Sequence, residues 1–212
     1  MSAFLDGLND EQKRAVATTE GPLLILAGAG SGKTKTLTHR IAHILDTGLA
    51  NQYEILAVTF TNKAAKEMRE RVTHMIERID QETLAPRSSE MSEVGPFVST
   101  FHSLGVFLLR KFGAYNGTIT RFTILDDADT NTLIKEALTS YGIDPKTTDP
   151  RAIKNIISRS ANAFLKPEDL EHEANPSYRM AGRIWTTYRS LKREQKALDF
   201  DDLLTQTVEL LE

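Results

Sequence analysis

The sequence predicts an α/β fold in which parallel strands alternate with helices around a phosphate-binding loop. Three apolar or β-branched runs, Leu23 to Ala27, Ile55 to Phe60 and Phe97 to Phe101, are each followed by a helical pattern. Such alternation is typical of a parallel sheet with right-handed crossovers. The first run leads into Ala-Gly-Ala-Gly-Ser-Gly-Lys-Thr at residues 27–34. We therefore expect a strand, a glycine-rich loop and a helix in direct succession.

Composition places the chain among ordinary globular proteins. Its 212 residues are 40% apolar and 26% charged, with a net charge of −3 and no cysteine. That length allows one large domain or two small ones. No apolar run approaches the roughly 20 residues needed to cross a bilayer, and the first residues lack the features of a signal peptide. We expect a cytoplasmic protein that does not bind a membrane.

The loop at 27–34 has the chemistry of a nucleotide-phosphate site. Glycines at 28, 30 and 32 let the backbone turn its amide hydrogens inward, and Ala29 and Ser31 between them add further amides. Lys33 can place its charge between the β and γ phosphates, and Thr34 can ligate Mg²⁺. The helix predicted from Lys35 to Leu45 would direct its N-terminus at the anion. A nucleotide bound together with magnesium is the ligand that this pattern favours.

Gln12 is a candidate for base recognition. It lies about 20 residues before Lys33, after a possible helix cap at Asn9 or Asp10. A glutamine amide donates and accepts together, which matches the N6 and N7 edge of adenine. Taken alone, the residue fits a surface helix equally well.

The pattern changes along the chain. A helix is predicted from Thr61 to about Asp80, and the polar stretch 81–96 reads as an exposed loop. After about residue 113 the sequence becomes mostly helical, with helix starts marked by Asp149-Pro150 and Asn175-Pro176. We expect three parts: an α/β segment at 1–112, an inserted helical subdomain at 113–198, and a return to the first domain at 199–212.

Charge is uneven within the helical part. Residues 151–196 contain ten Lys and Arg against five Asp and Glu. This excess could follow a phosphate backbone, although a solvated helical surface explains it as well.

Two acidic stretches could supply a magnesium carboxylate. Asp126 and Asp127 follow the apolar residues 122–125, and an Asp-Phe-Asp-Asp run begins at Asp199. The second run is preceded only by Ala197 and Leu198, which is too short for a buried strand. We interpret both stretches as helix caps. Neither stretch is then expected to hold magnesium.

Six segments in this order resemble the UvrD/PcrA/Rep branch of superfamily 1 DNA helicases. They are LNDEQKRAV, AGAGSGKTKTLTHRI, ILAVTFTNKAAKEM, VSTFHSLG, RFTILD and LDFDDLL. The resemblance covers essentially the whole chain. It implies an incomplete P-loop NTPase sheet of the RecA-like kind, carrying an inserted, mainly α-helical subdomain.

The resemblance also implies roles for individual residues. Gln12 would read adenine, Arg40 would pack near the base, and Lys33, Thr34 and the neighbouring Lys35 would serve the phosphates and magnesium. A track for single-stranded DNA would be lined by Phe60, Thr61, Asn62, Lys63, Thr100, Phe101 and His102. Residue patterns alone would place Phe60 and Phe101 in the core. The segments 60–63 and 100–102 each lie at the end of a predicted strand, which is the edge where open α/β sheets bind ligands.

By this resemblance, the chain is the N-terminal part of an ATP-dependent DNA helicase with a role such as DNA repair. Its partners would be single-stranded DNA, duplex junctions and a missing C-terminal motor domain of the same protein. The part alone is expected to bind nucleotide without hydrolysing it efficiently. Two alternatives stay open from the residues: a small P-loop kinase, and a module that binds DNA or a partner without hydrolysis.

Overall fold

A computed structural model describes the backbone of residues 3–83 and 95–212, and the side chains of 4–77, 95–115 and 117–212. The fold is mixed α/β and mostly helical, with short pairs of parallel strands. The chain divides into two compact units, residues 1–101 and 102–212. Within the described residues, no helix has the length and apolar character needed to cross a bilayer.

Among the residues that the structure describes, the first unit contains three α-helices and two strands, together with the first residue of a fourth α-helix. They are α1 (Asp10–Ala17), α2 (Lys33–Asp46), β1 (Leu56–Thr59), α3 (Asn62–Thr83) and β2 (Phe97–Thr100), and α4 begins at Phe101 and ends at Phe112. Strands β1 and β2 pair in parallel, with Leu56 opposite Phe97 and Thr59 opposite Thr100. The parallel pairing of β1 with β2 and the helix α3 between them confirm these parts of the sequence prediction.

One apolar core joins α2, α3 and β2. Its buried members are Ile41, Met68, Val72, Ile76 and Val98. The α3 residues recur at spacings of four, so one stripe of the helix faces the core, as the periodicity predicts. This core fixes the helix that follows the glycine-rich loop against the strand pair.

The strand predicted at Leu23 to Ala27 is wrong for the part of the chain that the structure describes. Residues 22–28 belong to no strand, and the Leu24 and Leu26 side chains are 81% and 87% exposed. An apolar run becomes a strand only when a neighbour takes up its backbone hydrogen bonds. None of the four strands in the described ranges pairs with it.

The boundary of the predicted loop 81–96 also needs correction. Helix α3 continues to Thr83, so residues 81–83 are helical. Residues 84–94 lie outside the described part of the chain, and the loop prediction for them is not assessed.

The second unit is built from helices around two short strands. They are α4 from His102 onward, β3 (Thr123–Ile124), α5 (Asp127–Ser140), α6 (Pro150–Asn162), α7 (Pro167–Glu171), α8 (Pro176–Glu194), β4 (Ala197–Leu198) and α9 (Phe200–Leu211). Asp149 and Asn175 cap α6 and α8 through their side chains, each before a proline in the first turn. These two predicted helix starts are confirmed.

The interpretation of Ala197 and Leu198 as too short for a buried strand is wrong. These residues form β4, are both buried, and pair in parallel with Thr123 and Ile124. Two residues suffice because the Leu125 amide also bonds the Leu198 carbonyl and the Thr123 amide bonds the Lys196 carbonyl. The short pair therefore continues as a hydrogen-bonded ladder beyond its formal ends.

Two glycines permit close contacts between elements of the second unit. A Cβ on Gly105 in α4 would lie 2.5 Å from the Leu203 carbonyl oxygen of α9. One on Gly182 in α8 would lie 2.7 Å from the Pro167 carbonyl oxygen of α7. Both backbones approach more closely than any side chain would allow.

A buried ion cluster joins α8 to the start of α9. The Lys192 ammonium donates to Asp199 at 2.6 Å and to Asp202 at 2.5 Å. The Tyr188 hydroxyl donates to Asp199 at 2.7 Å. Asp199 and Asp202 also exchange side-chain to backbone hydrogen bonds as a capping box. One of the ten bases at 151–196 is thus a core residue and contributes nothing to a solvated surface.

Candidate functional site

The glycine-rich loop leads from residues 22–26, which belong to no helix or strand, into α2. Gly30 and Gly32 have φ of 75° and 85°, a left-handed conformation that suits glycine. Gly32 is the N-cap of α2 and offers no side-chain cap, so the helix begins directly at Lys33. The Ser31 hydroxyl donates to the Gly28 carbonyl at 2.7 Å, which stabilises the turn. The first amides of α2 therefore lack side-chain capping, the arrangement in which a helix N-terminus can bind an anion.

Lys33 lies over its own loop. Its ammonium donates to the Gly28 carbonyl at 2.7 Å and the Ala27 carbonyl at 3.0 Å, and the side chain is exposed. Neutral carbonyls bind an ammonium more weakly than anionic oxygens do. Phosphate oxygens can therefore replace both of these partners.

Thr34 offers one oxygen ligand that fits magnesium. It lies in the first turn of α2, is half-buried, and its hydroxyl makes no hydrogen bond within the described ranges. Mg²⁺ prefers oxygen ligands and is usually held by one or two carboxylates together with phosphates. No group of three or more His, Cys, Asp or Glu suited to a metal occurs among the described residues. Thr34 would therefore be a single protein ligand to magnesium.

Gln12 lies beside the loop, as expected if it belongs to the same site. Its Nε2 donates to the Ser31 carbonyl at 3.0 Å, and its Oε1 accepts from the Asn9 amide at 3.1 Å. Asn9 in turn accepts from the Gln12 amide, which completes a capping box at the start of α1. A Cβ on Gly32 would lie 2.8 Å from Gln12 Nε2. The loop and α1 are thus in direct contact.

Arg40 and Lys35 attach the N-terminal segment to α2. The Arg40 guanidinium donates to the Ala15 carbonyl at 2.7 Å and, through a shorter bond, to the Thr18 carbonyl. The Lys35 ammonium donates to the Gly7 carbonyl at 2.7 Å. Both side chains therefore fix the helix that carries Gln12 against the helix that follows the loop.

The two predicted aromatic residues lie together at one end of the strand pair. Phe60 and Phe101 each follow a strand by one residue, and the register pairs Thr59 with Thr100 immediately before them. Their ring centroids are 5.5 Å apart at an angle of 48°. Phe60 is 89% exposed and Phe101 is 42% exposed. Their assignment to the core from residue patterns alone is wrong, since both rings are on the surface of the first unit.

The other predicted nucleic-acid residues differ in accessibility. Asn62 and Lys63 are exposed in the first turn of α3, whereas Thr100 is buried. The Thr61 hydroxyl accepts from the Ala64 amide and so supports the start of that helix. His102 belongs to the second unit, where its ring packs edge-on against Phe200.

Both acidic stretches are helix caps, as the sequence predicts. Asp126 accepts from the Ala128 and Asp129 amides at the start of α5, and Asp199 accepts from the Asp202 amide at the start of α9. Asp127 instead pairs with Lys154 at 2.6 Å, and the charge and hydrogen bond of Lys154 lower the pKa of that carboxyl. No sequence pattern indicates the contact between Gln12 and the Ser31 carbonyl, because 19 residues separate them.

The chain belongs to the UvrD/REP helicase N-terminal domain family, which it matches over residues 8–212. A mixed α/β chain that is mostly helical, with short pairs of parallel strands, is consistent with that class.

Among curated proteins, the chain is 44% identical over its whole length to the ATP-dependent DNA helicase PcrA of Staphylococcus epidermidis. It is 42% identical to the PcrA of Staphylococcus aureus, again over its whole length. In both comparisons the chain spans 27% of the relative's length.

Proposed function

We propose that this chain is the ATP- and single-stranded-DNA-binding N-terminal region of an ATP-dependent DNA helicase. The observation that carries the proposal is the loop at 27–34 in a chain with 44% identity to a PcrA helicase. The whole protein would couple ATP hydrolysis to translocation on single-stranded DNA and to unwinding at duplex junctions. Its fold would be that of a P-loop NTPase of the RecA-like kind, with the parts 1–112, 113–198 and 199–212 expected from the sequence.

Nucleotide binding follows from the loop geometry. The backbone amides of 28–32 and the N-terminus of α2 would surround the phosphates, and Lys33 would exchange its carbonyl partners for phosphate oxygens. Thr34 would hold magnesium, which neutralises phosphate charge. Gln12 would read the adenine edge, and Arg40 and Lys35 would keep α1 in place for that reading.

DNA binding follows from the exposed aromatic pair. Rings that project beyond a strand pair can stack on bases, and stacking is tolerant of sequence. Lys63 in the first turn of α3 would add charge toward the DNA backbone. The helicase would grip single-stranded DNA here, and a further motor domain of the same protein would complete the nucleotide site.

Hydrolysis would need carboxylates that this chain does not offer from its acidic stretches, since Asp126 and Asp199 are occupied as caps. We expect residues 1–212 alone to bind Mg-ATP without efficient turnover. A steady-state ATPase assay with single-stranded DNA tests this expectation. Turnover by this chain at about 1 per second or faster, a rate typical of enzymes, would refute it.

Two substitutions separate the proposed sites. Lys33→Ala should weaken binding of a non-hydrolysable ATP analogue by about tenfold to a hundredfold, because charge-assisted bonds contribute about 1.5–3 kcal/mol. It should leave affinity for oligo(dT) nearly unchanged.

Phe60→Ala should do the reverse and weaken oligo(dT) binding by about 1–3 kcal/mol, the value of one stacked base. Leu26→Ala is a matched control, because it also truncates an exposed apolar side chain. DNA binding that depends on neither nucleotide nor Phe60 would favour a binding module of another kind.

A further inference from the structure

His39 attaches the start of the N-terminal segment, residues 4–18, to the helix that follows the phosphate loop. Its ring nitrogen Nδ1 lies 2.7 Å from the Phe4 carbonyl oxygen, in a part-buried contact between residues 35 positions apart. A carbonyl oxygen only accepts, so Nδ1 carries the proton and donates it. Phe4 is itself buried. Because the contact is shielded from water, losing its donor would cost more than losing a hydrogen bond at the surface.

Two other side chains of α2 hold the same segment. The Lys35 ammonium donates to the Gly7 carbonyl at 2.7 Å, and Arg40 donates to two carbonyls near the end of α1. His39 and Lys35 thus attach the residues before α1, and Arg40 attaches its C-terminal end. The Lys35 contact is exposed, so His39 provides the better shielded of the two attachments before α1. Gln12 lies between the two attached ends.

Apolar packing alone does not fix α1. Of its eight residues, all within the described range, Val16 is the buried one. A helix this short is marginally stable without contacts to the rest of the fold, so its attachments to α2 decide where Gln12 lies. Gln12 Nε2 contacts the Ser31 carbonyl of the loop at 3.0 Å. A shift of about 1 Å in a group that contacts a ligand is enough to weaken that contact. The attachments of α1 therefore bear on what Gln12 can bind.

We infer that His39 is a positioning residue of the nucleotide site, an assignment that rests on the proposed function. It acts through the Phe4 carbonyl to set the place of α1, and hence of Gln12, without contacting base or phosphate. Its effect is selective, because α2 and the loop before it are held by the separate core that contains Ile41. Loss of the His39 donor weakens recognition of the base and leaves the phosphate contacts of Lys33 in place.

Two substitutions of His39 and two ligands test this selectivity. His39→Leu removes the donor, whereas His39→Asn keeps one at the position of Nδ1. His39→Leu should bind a non-hydrolysable ATP analogue about threefold to tenfold more weakly, the equivalent of one hydrogen bond. Its affinity for inorganic tripolyphosphate with Mg²⁺, which has no base, should change by less than about twofold. His39→Asn should restore affinity for the ATP analogue to within about twofold of the unsubstituted protein.

His43→Leu is the matched control. His43 lies one turn further along α2 and is also half-buried, and its Nδ1 makes no hydrogen bond to the described residues. His43→Leu should leave affinity for both ligands unchanged. Amide hydrogen exchange in α1 should become faster in His39→Leu and stay unchanged in His43→Leu, because only the first substitution releases the N-terminal segment.

A double-variant cycle with Gln12→Ala tests the route by which His39 acts. Gln12→Ala should weaken binding of the ATP analogue in the otherwise unsubstituted protein. In the His39→Leu background the same change should add less than about twofold, because a displaced Gln12 has little contact left to lose.

Equal losses of affinity for the ATP analogue and tripolyphosphate in His39→Leu would overturn the inference, since His39 would then affect the phosphates. Unchanged affinity for the ATP analogue, or full additivity with Gln12→Ala, would overturn it as well. Failure of the proposed function gives a different result: the unsubstituted protein would bind neither ligand, and the role of His39 would fall with the site.

Discussion

Lys33 and Lys192 show how differently the two units use the same side chain. Lys33 is exposed, and its partners within the described ranges are neutral carbonyls of its own loop. Lys192 is 5% exposed and binds two carboxylates on the next helix. An exposed ammonium on weak partners is available to a ligand, whereas a buried ammonium between two anions is committed to the fold. Environment, and not residue type, separates a binding lysine from a structural one.

The largest expected effect is on the buried lysine. Lys192→Met should lower the free energy of unfolding by about 3–5 kcal/mol, because it leaves the buried Asp199 and the half-buried Asp202 without a cation. Urea denaturation measures this loss. Arg193→Met, one residue further along α8 and exposed, is the control and should stay within about 0.5 kcal/mol. Equal losses of unfolding free energy in the two variants would show that the buried lysine contributes no more to stability than an exposed base of the same helix.

The two carboxylates of the cluster should respond oppositely to pH. Burial opposes ionisation of Asp199, but Lys192 and the hydrogen bonds from Lys192 and Tyr188 outweigh it, so the pKa of Asp199 is lowered. Burial and the neighbouring charge of Asp199 raise the pKa of Asp202 despite Lys192. Stability from Asp199 is present above the usual aspartate pKa and is lost as pH falls through the lowered value. Stability from Asp202 is present below the usual value and is lost as pH rises through the raised one.

Asparagine substitutions test the opposite pKa shifts of Asp199 and Asp202, and their expected effects on stability are the next largest. Asp199→Asn should cost about 1.5–3 kcal/mol at neutral pH, since charged hydrogen bonds are lost. Asp202→Asn should cost less than about 1 kcal/mol there, since it removes a carboxylate whose burial disfavours its charge. It should also flatten the pH dependence of unfolding above about pH 4. The urea midpoint measured across that range is the readout, and a larger loss for Asp202→Asn at neutral pH would reverse the assignment.

The smallest expected effect is that of the exposed lysine on stability. Lys33→Ala should change the free energy of unfolding by less than about 0.5 kcal/mol, because its carbonyl partners remain accessible to water. The same denaturation experiment checks this beside the nucleotide-binding measurement. A loss comparable to that of Lys192→Met would mean that Lys33 is structural as well.

Local sequence patterns predicted the elements whose causes are local. The stripe of α3, the prolines and caps of α6 and α8, and the caps at Asp126 and Asp199 all depend on neighbouring residues. Errors arose where a distant partner decides the outcome. Residues 23–27 have the apolar character of a strand without a paired neighbour in the described ranges, and Ala197–Leu198 is a strand because Thr123–Ile124 lies beside it.

The features of the candidate site also divide into those set by neighbouring residues and those set by distant ones. The glycine-rich loop is a contiguous motif, so its residues and their turn could be recognised directly. The proximity of Phe60 and Phe101 follows from the register of β1 and β2, which no single segment determines. The contact between Gln12 and Ser31 depends on how α1 packs on α2, and the burial of Lys192 depends on the return of the chain into α9.

The close approaches at Gly105 and Gly182 bear on how a saturation mutagenesis map of this chain should be read. Any replacement at these positions adds a Cβ within 3 Å of a backbone oxygen, so nearly every variant should score as deleterious. Neither glycine belongs to the proposed nucleotide or DNA site. Intolerance in such a map will therefore mark helix crossings as strongly as it marks ligand contacts, and only scores taken at constant protein abundance will tell them apart.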